Sequence, residues 1–200
     1  MNIKAVDIAL LPPPHITNLA IQINTELVRN FASQIVLDQT NCLPHISVAM
    51  GCIDRENIPA AKNVLKEITE QIGLEDLTIT GLDVTEHFAS SQVSSFEIEK
   101  SAPLQKLHEN IMSQMLPYLT SRVKADMLFD DDVADSTLVW IKNYRENASF
   151  GNFYPHITLG YGKAQYKKLP IKFKPEKIAI CHLGNHCTCR KVIFEIDLNT

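Results

Sequence analysis

The chain has 200 residues, a length that suits one domain or two small lobes over a shared core. It is 45% hydrophobic and 21% charged, the composition of an ordinary globular protein, and no apolar run approaches the length that crosses a bilayer. A net charge of −4 argues against a general binder of duplex DNA.

The charge is unevenly spread. Residues 1–141 carry 9 Lys and Arg against 19 Asp and Glu, whereas residues 142–191 carry 10 against 2. Such asymmetry fits a local anionic ligand better than a long duplex. The five cysteines are odd in number and irregular in spacing. They point to reduced thiols in a cytoplasmic protein, not to a disulfide framework. The first 14 residues read as a strand ending in a turn, not as a signal peptide.

In chain order, Ile3 to Leu11 reads as a strand that Pro12 to Pro14 stop. A helix is expected from Thr17, as N-cap, to about Ser33, where Leu19, Ile21, Ile23, Leu27, Val28 and Phe31 have a spacing that suits an amphipathic helix. A strand from about His45 to Cys52 follows. Asp54 is placed to cap the next helix, which carries Ile58, Ala61, Val64, Leu65 and Ile68 and ends at Gly73. Leu77 to Leu82 and Ser94 to Glu99 alternate as strands. Leu104, Leu107, Ile111, Met115 and Leu119 mark a helix whose end Pro117 disturbs. His108 is expected on its surface, and His87 has no partner pattern. Beyond the acidic turn Asp130–Asp132, the pattern suggests a strand at Thr137 to Ile141 and a polar loop from Asn143 to Asn152. A strand at about Phe153 to Tyr161, a basic linker from Lys167 to Pro175, and two last strands at Lys177–His182 and Lys191–Leu198 complete the chain. A turn around Gly184-Asn185 joins those two.

Two of these strands carry the same string. Leu43-Pro44-His45-Ile46-Ser47-Val48 and Tyr154-Pro155-His156-Ile157-Thr158-Leu159 lie 111 positions apart. Each reads apolar or aromatic, Pro, His, Ile, hydroxyl residue, apolar. On an extended strand, positions i and i+2 share a face. Each string therefore presents an imidazole beside a hydroxyl and turns its Ile toward a core. One such string is a weak signal, and two matched ones are a much stronger one. Pro14-His15-Ile16-Thr17 is a partial copy that lacks the apolar residue after Thr17. It reads as a helix start, and His15 is left as a loop contact.

The paired strings resemble the 2H phosphoesterase superfamily, which includes the 2'-5' RNA ligase-like proteins and cyclic phosphodiesterases. That family is marked by two His-x-Thr/Ser-x motifs, and Ser47 stands where Thr is commoner. The resemblance implies an α+β, LigT-like fold: one bilobal domain over residues 1–200. Two βαβ-like lobes related by a pseudo-twofold axis, with mostly antiparallel sheets, would flank a central cleft. It also implies RNA-derived substrates: 2',3'-cyclic phosphate ends, 2'-5' linked oligonucleotides or small cyclic nucleotides.

The chemistry follows from the side chains. Two imidazoles titrating near neutrality can act as general base and general acid on one phosphodiester. Ser47 and Thr158 can donate hydrogen bonds to nonbridging oxygens. No metal or other cofactor is required by that scheme. Tyr154 and Tyr161 are candidates for stacking on a base, and Lys142, Arg145 and Lys163 for phosphate contacts. The expected partner is a nucleotide or short RNA bound by a monomer, with no membrane or duplex DNA. Rival readings are a nucleotide-binding module without turnover and a ligase running the reverse reaction. The cluster Cys181, His182, His186, Cys187 and Cys189 invites a zinc reading. It has no Cys-x-x-Cys, however, and reads better as a hairpin tip.

Overall fold

The computed structural model describes residues 3–71, 73–86 and 92–198. His87 lies outside them. Strands β1 (Ile3–Leu11), β2 (Ile46–Asp54), β5 (Leu119–Thr120), β8 (Lys177–Leu183) and β9 (Cys189–Asp197) form a five-stranded sheet in the order β5-β2-β1-β8-β9. Strands β3 (Leu77–Glu86), β4 (Gln92–Ile98), β6 (His156–Tyr161) and β7 (Ile171–Phe173) form a four-stranded sheet in the order β6-β4-β3-β7. Every pairing is antiparallel.

The two sheets correspond. Counted outward from the strand that bears a motif, one runs β2-β1-β8-β9 and the other β6-β4-β3-β7, with the short β5 added outside β2. Each sheet draws strands from both halves of the chain. The helices α1 (Pro14–Phe31), α2 (Ile58–Gln71), α3 (Ala102–Met115) and α4 (Asp135–Asn147) complete the architecture. The helices cross over: α1 packs on β6, while α3 and α4 pack on β2. The fold is therefore α+β, with antiparallel sheets.

Burial explains the elements. β1, β2 and β8 are buried along almost their whole length, as near-continuous apolar strands must be. The helices bury one stripe each, for example Ile58, Ala61, Leu65 and Ile68 in α2. One apolar cluster runs from Ile8 of β1 through Phe96 of β4 and Ile157 of β6 to Ile180 of β8. A smaller cluster of Ala9, Ala179, Cys181 and Cys189 is built from small side chains. It occupies the face of β1 on which Asp7 also points, two positions from Ala9. Among the described residues, no helix is long and apolar enough to cross a membrane.

Several expectations need correction. Helix α1 starts at Pro14, not Thr17, with Pro13 as its N-cap. Proline is pre-set for the first helical position, where an N–H would be unsatisfied anyway. The Thr17 hydroxyl instead donates to the Pro12 carbonyl at 3.1 Å. The strand expected at Thr137–Ile141 is part of α4, and so is the first half of the loop expected after it. The buried residues Thr137, Ile141 and Tyr144 follow helical spacing, which the apolar run Leu138–Trp140 hides. The basic linker contains β7, which pairs with β3. His108 is fully buried, not on the surface.

Candidate active site

Both motif strands carry the expected alternation. Ile46, Val48, Ile157 and Leu159 are fully buried, while His45, Ser47, His156 and Thr158 are partly exposed. The apolar residues hold each strand to the core and leave the imidazole and hydroxyl facing out of it.

The register of the two strands breaks at the same place. On β2, Ile8 of β1 pairs with Ala49 and Ala9 pairs with Ser47, so Val48 has no partner. On β6, Ser94 of β4 pairs with Gly160 and Ser95 pairs with Thr158, so Leu159 has none. Each motif strand thus bulges at the residue after its hydroxyl. Bulges bend a strand and re-aim neighbouring side chains, and they also leave a ladder carbonyl unpaired.

A buried side chain from a crossing helix meets each orphaned carbonyl. Asn24 of α1 donates Nδ2–H to Leu159 O at 2.7 Å and also to Ile35 O at 2.8 Å. His108 of α3 meets Val48 O with Nδ1 at 2.8 Å. Its Nε2 accepts the Phe150 N–H at 2.7 Å, so the ring is neutral with the proton on Nδ1. Burial pushes its pKa down, consistent with that form. The ring stacks on Phe153, with centroids 3.9 Å apart. Sequence reasoning missed His108 because a lone imidazole on a helix carries no pattern. Gly160 follows the second bulge with φ +135°, and a Cβ there would lie 2.8 Å from both Asn24 Nδ2 and Ser33 Oγ. Only glycine fits.

The two imidazoles are held alike. His45 Nδ1 lies 2.8 Å from Leu43 O and His156 Nδ1 lies 2.9 Å from Tyr154 O, in each case two residues back. A carbonyl can only accept, so both Nδ1 atoms carry a proton and both Nε2 atoms are left for chemistry. The two rings lie within electrostatic reach of each other. Burial pushes the His156 pKa down, and the neighbouring His45 pushes it further. Both histidines act on a third group, Asp7.

Asp7, on β1, is fully buried. Its Oδ2 accepts the Ser47 hydroxyl at 2.5 Å and lies 3.4 Å from His45 Nε2. Burial pushes its pKa up, against the pull of His45 and Ser47. Burial pushes His45 down, but the Asp7 carboxylate together with the Leu43 carbonyl outweighs it and the net shift is upward. The sequence held one sign of Asp7, a lone acid inside an apolar strand. The Ser47 proton is committed to Asp7, whereas the Thr158 hydroxyl has no partner among the described residues.

A model of the 2'-5' RNA ligase superfamily matches residues 39–180, well over half of the chain. The chain belongs to the 2'-5' RNA ligase superfamily. The matched span includes both motifs. Among curated proteins, no sequence matches. Solved structures share the fold at low identity. The apo form of Escherichia coli LigT is 14% identical with a TM-score of 0.52, covering 98% of each chain. TT0787 of Thermus thermophilus is 16% identical with a TM-score of 0.52, covering 97% of each chain. LigT complexed with 3'-AMP is 14% identical with a TM-score of 0.50, covering 100% of each chain.

The remaining candidates divide into those near the histidines and those apart from them. Tyr154 is 46% exposed, with its ring centroid 5.6 Å from that of His156 and its hydroxyl donating to Glu97 Oε1 at 2.7 Å. Tyr161 is half-buried, with its hydroxyl 3.1 Å from His186 Nδ1. Lys142 and Arg145 line a groove with Met50, Met112, Leu119 and Ser121, and neither His45 nor His156 is part of that lining. Lys163 is exposed beyond the end of β6, and His15 is exposed in the first turn of α1.

The C-terminal Cys/His cluster does not assemble as a metal site among the described residues. One group does bring ligand atoms within 4.8 Å of one another: Asp7, His45 and Cys189. The Cys189 thiol fits a metal poorly. Burial, and the neighbouring Cys181 thiol, push its pKa well up, and a metal takes the thiolate. All five cysteines are free thiols.

Proposed function

We propose that this protein is a metal-independent phosphodiesterase of RNA-derived substrates, with His45 and His156 as its acid–base pair. Its substrates are 2',3'-cyclic phosphate ends, 2'-5' linked oligonucleotides or small cyclic nucleotides. One observation carries the reading: two imidazoles, each with Nδ1 tied to a carbonyl two residues back, keep Nε2 out of that bond and lie within electrostatic reach of each other and of Asp7. One Nε2 takes a proton from the attacking water, and the other gives one to the leaving oxygen. Thr158 donates to a nonbridging oxygen as it stands. Ser47 does so once its hydroxyl turns away from Asp7.

The exposed ring of Tyr154 beside His156 offers a stacking face for a base. Superfamily membership and the fold shared with LigT, solved with 3'-AMP, favour a nucleotide over other phosphodiesters. No proton transfer in the scheme needs a metal, because the two imidazoles carry both.

The test is a screen of 2',3'-cyclic nucleotides and of 2'-5' and 3'-5' dinucleotides in the presence of a chelator, with product phosphate position read by chromatography. Chelator-resistant turnover of at least one class supports the reading. Tight nucleotide binding with no product after long incubation would make the protein a binding module. Joining of 2'-hydroxyl and 2',3'-cyclic phosphate ends without measurable hydrolysis would make it a ligase.

A further inference from the structure

Asp7 belongs to neither motif, yet it touches the first one at both functional positions. It sits on β1, the neighbour of β2, with no exposed surface. Its Oδ2 is shared between Ser47 Oγ and His45 Nε2, and its Oδ1 is buried without a hydrogen-bond partner. A carboxylate buried this way is costly unless a positive charge stands beside it. The small residues Ala9, Cys181 and Cys189 around it supply none. His45 is the group in place to supply it.

We propose that Asp7 is a positioning residue that divides the proton work of the pair, holding His45 as the protonated acid and leaving His156 as the base. The inference rests on the phosphodiesterase reading above. His45 already carries a proton on Nδ1, donated to Leu43 O. A second proton on Nε2 faces the Asp7 carboxylate at 3.4 Å. That is longer than a well-formed charged hydrogen bond, about 2.7–2.9 Å. The proton is thus attracted without being locked, and a leaving oxygen can take it. His156 has no carboxylate within ion-pair reach among the described residues, and the charge on His45 opposes a second proton there. Its Nε2 keeps a lone pair.

The charged and titratable neighbours come from every side. Tyr144 of α4, Cys187 of the turn before β9 and Cys189 of β9 all feel the Asp7 charge, and burial holds each of them in its neutral form. Asp83 of β3 and Asp7 pull His156 upward, more weakly than burial, with His45, pushes it down. Asp7 is the acid that meets His45 directly.

The step balances. Water attacks phosphorus while His156 Nε2 takes its proton. The bond from phosphorus to the ribose oxygen breaks, and that oxygen takes the Nε2 proton of His45. Exchange with solvent then restores both rings.

The test pairs NMR titration of the two ring Cε1–H signals with kcat/KM against pH, in the wild type and in Asp7→Asn. Asparagine keeps the shape and still accepts from Ser47, but it removes the charge. In the wild type, His45 is expected to titrate above His156. In Asp7→Asn, the His45 midpoint and the alkaline limb of kcat/KM should both move about one unit lower, with a fall of about tenfold at pH 8. The acid limb should move less. A merely structural role would lower activity at every pH without moving the alkaline limb, and that result would overturn the proposal. So would a wild-type His45 midpoint at or below that of His156. Should Asp7→Asn not fold, the wild-type midpoints decide. A chain that turns over no phosphodiester defeats the reading of the preceding subsection, while the midpoints still report whether Asp7 sets the proton order.

Discussion

His108 offers a test of how the fold aims the site. Replacing it by leucine keeps approximate volume and removes both ring nitrogens. The Val48 carbonyl, at 2.8 Å, and the Phe150 N–H, at 2.7 Å, then lose their partners inside a fully buried pocket. Each buried group left unpaired costs about 1–3 kcal/mol. Extra apolar burial by leucine offsets part of that, leaving a net loss of about 2–4 kcal/mol. For a chain of this length each kcal/mol moves Tm by about 2–4 °C, so the midpoint should fall by about 4–16 °C. Activity should fall as well. Val48 is the bulged residue next to Ser47, and a displacement of about 1 Å near a reacting group can cost about a hundredfold. Calorimetry with near-ultraviolet circular dichroism measures the first effect, and kcat/KM on the best phosphodiester measures the second. A Tm within about 2 °C of wild type would refute the claim that His108 supports the bulge.

Three further outcomes follow from the same geometry. Gly160→Ala puts a Cβ 2.8 Å from Asn24 Nδ2 and Ser33 Oγ at a positive φ, so it should destabilise by about 2 kcal/mol or more in urea unfolding. The pH profile of kcat/KM should be bell-shaped. His156, pushed down by burial and by His45, sets the acid limb, because its Nε2 must be unprotonated. His45, which Asp7 raises despite its burial, sets the alkaline limb, because it must be protonated. The plateau therefore lies between the two, near neutrality, and a profile rising monotonically with pH would contradict it. Lys142→Ala and Arg145→Ala should leave kcat/KM within about twofold of wild type, because both line a groove whose lining includes neither His45 nor His156.

Much of the site was legible because strand periodicity is simple. A residue skipped between His and hydroxyl puts both on one face, and the Ile between them fixes which face that is. The strings at His45 and His156 therefore predicted which side chains of β2 and β6 face out of the core. The bulges were not legible. Nothing in Ser47-Val48-Ala49 distinguishes a regular ladder from one that skips a residue, since the break depends on the partner strand, and Gly160 after Thr158-Leu159 was the one hint at the second. Asn24 and His108 were hidden for the same reason, because each serves a carbonyl far away in sequence. Helix α4 was misread as a strand because Leu138, Val139 and Trp140 form a continuous apolar run. Val139 and Trp140 face solvent, at 52% and 38% exposure, and only Thr137, Ile141 and Tyr144 mark the buried stripe. Asp7 shows the remaining limit. An acid in an apolar strand signals a buried charge but does not reveal its partner.

The central claim is that both motifs serve one phosphodiester. The direct measurement is turnover of a 2',3'-cyclic nucleotide by His45→Ala and by His156→Ala, each checked for an unchanged circular dichroism spectrum. Each variant is predicted to lose about 100- to 10,000-fold in kcat. Wild-type turnover in either folded variant would contradict that claim.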